Sequence, residues 1–339
     1  MPFCMDQGRA LHYLERGAGE PVVLIHGLGS SGADWAFQVP ALEGEYRVLL
    51  PDLPGCGYSE GLAPGYTIAD LAAALWRWID GLGIENPNLV GFSMGGAVGL
   101  EMALLRPRAV PRLVLINSLA SYRVDHWTKW CTARIDAALV RLLGIERTAR
   151  LIAARLFPDV RQAAMRERAA AVIGSVPAST YLSMAKVLER WSAHERLDGL
   201  QCRSLLIAAE YDYTPLAEKR SLASRLRADC LVVRESRHGT PFDAIGITNA
   251  ALLAFLADLP PPDPARWCRD DPALGLPISL SNSVADQHAA VAAGPAPAAG
   301  HAPAPGHAPT GAEELSGRFA AGESDGSTAA DLDEIGSRS

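Results

Sequence analysis

The sequence predicts an α/β protein with a mostly parallel, doubly wound sheet and one inserted block of helices. Three observations predict it. Up to residue 120, short Val-, Leu- and Ile-rich runs alternate with helix-like segments. The central runs lack polar alternation, as strands buried on both faces do. From residue 121 to 197 that alternation gives way to amphipathic helical spacing, after which strand-like runs resume.

In chain order, the strand-like runs are "ALHYLE", "PVVLIHG", "YRVLLPD", "NLVGFS" and "RLVLIN". Between them lie "ADWAFQVPALEG", "TIADLAAALWRWIDGLG" and "MGGAVGLEMALLRP". The second of these has Thr67 at its start and Asp70 three residues on, a capping-box pattern. The third must stop at Pro107, whose ring cannot continue a helix. The segments "TKWCTARIDAALVRLLGIERTARLIAARLF", "VRQAAMRERAAAVIG" and "TYLSMAKVLERWSAHERL" carry apolar residues at three- and four-residue spacing with Arg and Glu between them. Strands return as "CRSLLIAAEYD" and "CLVVRES", and "ITNAALLAFLADL" gives a last helix. The division expected is therefore a core of residues 1–120 and 198–259 and a helical insert of residues 121–197. A tail of residues 260–339 completes it, opened by "PPPDP" and expected to be disordered. Residues 289–312 contain only Ala, Val, Gly, Pro, His and Thr, so His288, His301 and His307 read as solvated rather than metal-binding.

Bulk composition excludes several classes. A hydrophobic share of 49% and a charged share of 20% are those of an ordinary soluble domain. The net charge of -7 is concentrated at the end, where seven acidic residues from Glu313 onward face Arg318 and Arg338. The rest is near neutral and shows no basic footprint for nucleic acid. No apolar run approaches the roughly 18 residues that span a bilayer, and the N-terminus lacks a signal-peptide pattern. Cys4, Cys56, Cys131, Cys202, Cys230 and Cys268 show no metal-like spacing. They read as reduced thiols, so a cytoplasmic location is expected.

The loop "HGLGSSG" admits two readings. Gly27, Gly29 and Gly32 with Asp52 twenty residues further on satisfy a dinucleotide-binding fingerprint. The same glycines also suit a loop that turns backbone amides toward an active site. The rest of the chain favours the second reading, because it supplies a serine, an acid and a histidine that a nicotinamide enzyme has no use for.

"GFSMGG" places Ser93 at a sharp strand-to-helix turn, with Gly91 and Gly95 two residues to either side. Such a turn strains the serine backbone and leaves no room for side chains at the flanking positions. A serine hydroxyl needs a base, and the base an orienting acid. In this architecture they follow in the order serine, acid, histidine. Asp212 lies just beyond "LLIAA", with Glu210 and Asp198 as fallbacks; the position after "LVLI" offers only Asn117 and Ser118. His238, in the loop after "CLVVRES", is the one histidine between that strand and the tail. His12, His126 and His194 fall outside strand-end loops, and His26 reads as a structural group beneath the glycine loop. Trp35, Trp76 and Trp78 read as core. Core packing is also expected of Trp127, Trp130 and Trp191, with the lining of an acyl pocket as the alternative.

Together, "VVLIHGLGSSGADW", "YRVLLPDLPGCGYSE", "NLVGFSMGGAVGLEMA", "LLIAAEYDYTP" and "SRHGTPFDA" resemble the α/β-hydrolase fold superfamily over roughly residues 10–257. The helical insert stands where that family carries its cap. The resemblance makes Asp52 an architectural acid and implies acyl transfer by Ser93, His238 and Asp212. The oxyanion would be held by backbone N–H groups of Met94 and Leu28, or of Gly29 in place of Leu28. No metal or organic cofactor is implied. A serine nucleophile argues against the dehalogenases and epoxide hydrolases of the family, whose nucleophile is aspartate. The expected partner is a small acyl substrate, and the expected activity is hydrolysis of a carboxylic ester, lactone or thioester of small-to-medium hydrophobic character. An acyltransferase, a carbon–carbon bond hydrolase and a slow-turnover ligand sensor share the same residues; the oligomeric state is left open.

Overall fold

The computed structural model describes residues 3–124 and 127–263, without the side chains of residues 127–133, and all of these fall in one compact unit. The expectations for His126, for the side chains of Trp127 and Trp130, and for the tail from residue 264 lie outside the described residues.

The chain runs β1 (Phe3–Asp6), β2 (Arg9–Arg16), β3 (Glu20–Ile25), α1 (Val39–Leu42), β4 (Tyr46–Pro51), α2 (Ile68–Gly81), β5 (Asn88–Phe92), α3 (Met94–Leu105) and β6 (Arg112–Ile116). Four inserted helices follow: α4 (Trp127–Leu143), α5 (Ile145–Leu156), α6 (Ala163–Ser175) and α7 (Ala178–Leu188). Then come β7 (Arg203–Ala209), α8 (Leu216–Leu226), β8 (Asp229–Val233), α9 (Thr240–Asp243) and α10 (Ile245–Leu256). One eight-stranded sheet has the order β1-β2-β4-β3-β5-β6-β7-β8, antiparallel at β1–β2 and β2–β4 and parallel elsewhere. No single helix among the described residues is long and apolar enough to cross a membrane.

The strands are buried on both faces, as their unbroken apolar runs require. Along β3, Val22 and Leu24 point into one cluster with α1 and α10, while Val23 and Ile25 point into another with α2 and α3. Trp35, Trp76 and Trp78 belong to these clusters. Thr67 and Asp70 form the full capping box of α2. The additional strand β1 pairs with β2 through the two-residue turn Gln7-Gly8, both residues at positive φ (48° and 79°), the twist a tight hairpin needs.

The chain leaves β3 for β4 on one side and returns to β5 on the other. The carboxyl ends of β3 and β5 therefore diverge, leaving the crevice where open α/β sheets place their ligands. The insert covers that crevice and is anchored on its way back to the core. Glu101, buried on α3, accepts from Trp191 Nε1 at 2.7 Å and from both terminal nitrogens of Arg196 at 2.7 Å. Burial alone would raise the Glu101 carboxyl, but the bonds from Arg196 and Trp191 outweigh it and hold it below the usual range.

That tie predicts a cost for Arg196→Met. Removing the cation strands a buried carboxylate, a change of about 3–5 kcal/mol for a fully buried pair. Arg196 is half exposed, so a urea titration at neutral pH should show a loss of about 2–3 kcal/mol. Because the Glu101 carboxyl is depressed in the fold, its stabilisation is present above the unfolded carboxyl pKa and fades as pH falls. The gap between variant and wild type should narrow in acid; a gap that does not depend on pH contradicts the assignment.

Candidate active site

The turn from β5 to α3 is built without slack. Ser93 takes φ 54° and ψ -117°, a conformation a serine adopts only under tertiary constraint. A Cβ on Gly91 would lie 2.4 Å from the Gly95 carbonyl oxygen, and one on Gly95 would lie 2.1 Å from that of Ile25. At Gly96 it would meet Ser118 at 2.5 Å. The glycines are thus fixed by the close approach of β3, α3 and the end of β6. Met94, wholly buried, is the first residue of α3, so its N–H has no acceptor within the helix.

Ser93 Oγ stands 2.9 Å from His238 Nε2, and His238 Nδ1 stands 2.8 Å from Asp212 Oδ1. The structure thereby brings together three residues from the ends of β5, β7 and β8. Glu210 instead accepts from the Glu235 N–H, and Asp198 pairs with Arg225; neither fallback acid meets the histidine. Asp212 is fully buried and filled on every side: Thr214 donates its hydroxyl at 2.6 Å and its N–H at 3.2 Å, and the buried Lys219 ammonium bonds Oδ2. Burial pushes the Asp212 carboxyl up, but the hydrogen bond and charge of His238 and the charge of Lys219 outweigh it, leaving it well below the usual range.

Two supporting residues were not singled out as functional in the sequence. Lys219 is 1% exposed, unlike most lysines, and burial lowers its pKa against the pull of Asp212. Asn117, at φ 47°, stands just beyond the end of β6. Its Nδ2 donates to the His238 carbonyl and to Thr240 Oγ1, both at 2.7 Å, and its Oδ1 accepts from the Ala209 N–H at 2.8 Å and from Lys219 at 3.3 Å. It stitches the histidine loop to β7. The lack of a carboxylate at 117 was legible, but the work done by the amide was not.

The glycine loop frames the other side. Leu28 lines the cavity above Ser93, and Gly29, at φ 72°, faces the Tyr181 ring so closely that a Cβ would lie 3.1 Å from it. His26 is buried, donates from Nδ1 to the Gly27 carbonyl and accepts at Nε2 from the Leu53 N–H, each at 2.9 Å; burial favours its neutral form. Asp52 is also fully buried, and its carboxylate takes the N–H groups of Gly32 and Tyr58 and the His12 ring. An acid so enclosed cannot reach a ribose, and the dinucleotide reading of this loop loses its key residue.

The cavity has a volume of about 800 Å³. Ile152, Leu156, Met165, Val172 and Tyr181 from the insert line it together with Asp136, Arg155 and Arg168, and Ser93 and His238 line its sheet side. That size and lining suit a small organic ligand.

Two variants test the construction. Gly95→Ala should lose about 3 kcal/mol or more, because its methyl meets backbone that cannot yield; a wild-type melting temperature would show hidden clearance. Lys219→Met should cost about 3–5 kcal/mol by stranding the Asp212 charge. The depressed Asp212 carboxyl stabilises the fold above the unfolded carboxyl range and loses this as pH falls. Without Lys219 that protection shrinks, so the acid-unfolding midpoint should move to higher pH. An unchanged midpoint would count against the pair.

The family described as alpha/beta hydrolase fold matches residues 20–214. A protein of Stutzerimonas stutzeri carrying the name carbamate hydrolase RutD is 31% identical over 263 residues, covering 73% of this chain and 97% of that protein. Its counterpart in Caulobacter vibrioides is 32% identical over 260 residues, covering 73% and 95%. Among solved structures, the enol-lactonase of Burkholderia xenovorans LB400 is 25% identical with a TM-score of 0.69, covering 76% of this chain and all of that one. A thermophilic esterase of Thermogutta terrifontis is 25% identical with a TM-score of 0.67, covering 76% and 96%. The match spans more than half the chain and agrees with the sheet order and the β5–α3 turn: this chain belongs to the α/β hydrolase fold family.

Proposed function

We propose that the protein is a serine hydrolase that cleaves a carboxylic ester, lactone or thioester of small-to-medium hydrophobic character through an acyl-serine intermediate. The observation that carries this reading is the run of contacts from Ser93 through His238 to Asp212 beside a cavity of mixed, mostly apolar lining. The names carried by its relatives, a carbamate hydrolase, a lactonase and an esterase, all describe attack on an acyl carbon.

In the first step His238 Nε2 takes the Ser93 proton while Oγ bonds to the carbonyl carbon, and the carbonyl electron pair moves onto oxygen. Asp212 holds the imidazole with Nδ1 protonated and stabilises it once charged. The oxyanion is received by the N–H groups of Met94 and Leu28, each such donor contributing roughly 3 kcal/mol of barrier reduction. Collapse of the intermediate expels the leaving group, which collects the proton from Nε2. Water, activated by the same histidine, then releases the acid. The cavity lining of Ile152, Leu156 and Met165 supports an apolar acyl or alcohol portion.

The test is turnover of p-nitrophenyl butyrate with fluorophosphonate labelling. Wild type should hydrolyse the ester and be labelled on Ser93; Ser93→Ala should lose labelling and roughly 10⁴–10⁶-fold in kcat. Failure of wild type to label or turn over sinks the reading in favour of a ligand sensor. Product partition toward an added alcohol would instead identify an acyltransferase.

A further inference from the structure

Tyr213 follows Asp212 directly and has no part in the mechanism above. Its hydroxyl lies 3.0 Å from His238 Nε2, the same nitrogen that faces Ser93 Oγ at 2.9 Å. Its ring lies against the imidazole, with centroids 4.3 Å apart and planes 33° apart. Tyr213 lines the cavity and is 71% exposed as a residue, while its hydroxyl is turned inward against His238.

With Nδ1 bonded to Asp212, the neutral imidazole offers one lone pair at Nε2, and two hydroxyls stand within reach of it. Only one can donate there. When Ser93 donates, Tyr213 is left to donate to Ser93 Oγ or to whatever oxygen enters beside Nε2. The oxygen that must enter is the leaving group's, because it collects its proton from Nε2 as the intermediate collapses.

We propose that Tyr213 is a further catalytic residue that donates a hydrogen bond to the leaving-group oxygen as the acyl carbon–oxygen bond breaks. This rests on the acyl-serine reading. In that step the bonding electron pair passes to the leaving oxygen, which takes the proton from His238 Nε2. Tyr213 shares its own proton and keeps it. Its acidity agrees with this role: burial of the hydroxyl, then the negative Asp212, raise its pKa well above the ordinary tyrosine value, so it remains a donor throughout the working range. Tyr122 bonds Ser118 Oγ at 3.3 Å, whereas Tyr213 is the tyrosine that reaches His238 Nε2 and lines the cavity.

The experiment compares wild type with Tyr213→Phe on p-nitrophenyl, phenyl, trifluoroethyl and ethyl butyrate, reading kcat/KM, which reports acylation. A donor to the leaving oxygen matters most where that oxygen becomes most basic. The expected loss is about threefold for p-nitrophenyl and rises to about 10- to 100-fold for ethyl butyrate. Equal melting temperatures and equal fluorophosphonate labelling would show that fold and nucleophile are intact. The same loss on every ester, or none on any, overturns the assignment while leaving the acyl-serine mechanism standing. A wild type that cleaves no ester and takes no label overturns both.

Discussion

The constraint on which everything else rests is the absence of free volume where β5 turns into α3. Backbone from β3, the start of α3 and the end of β6 meet there at distances that admit no Cβ on Gly91, Gly95 or Gly96. That crowding holds Ser93 at φ 54° and sets its hydroxyl clear of the sheet, facing the histidine loop. The strain of one residue is sustained by burial on both faces of a parallel sheet, the least yielding part of the molecule.

The acid side of the site depends on electrostatics instead. Asp212 is held in a dry pocket by Lys219, Thr214 and His238, and Asn117 joins the same lysine to the histidine loop. A buried carboxylate with this many donors keeps its charge and its orientation together. Strain fixes the serine and charge fixes the acid; the imidazole lies between the two.

Much of this was legible in the sequence. The unbroken apolar runs announced the doubly buried strands, and Thr67 with Asp70 announced the start of α2. "GFSMGG" and the positions of Asp212 and His238 at strand ends marked the groups the fold brings together. The misses have physical causes. Strand β1 is only four residues with an exposed face, and its hairpin turn is Gln-Gly rather than the stronger Asn-Gly or Asp-Gly signal. Lys219 is one charge among several in "LAEKRSLASRL", and only the location of Asp212 explains its burial. Asn117 was noticed for the charge it lacks, whereas its function comes from an amide that donates and accepts at once, a property with no sequence period. Tyr213 follows Asp212 in the sequence, and its reach to Nε2 follows from the turn after β7.

The cavity has a divided ancestry. Its sheet side, with Ser93 and His238, comes from the ends of strands, fixed by backbone that leaves no room for a Cβ at Gly91 or Gly95, whereas Ile152, Leu156, Met165 and Val172 come from inserted helices. Those helices touch the strand-end loops at few points, Tyr181 on Gly29 among them, and lie clear of the close approach around Gly91 and Gly95. The lining of the pocket and the serine–histidine contact at its sheet side are thus written in separate stretches of the chain.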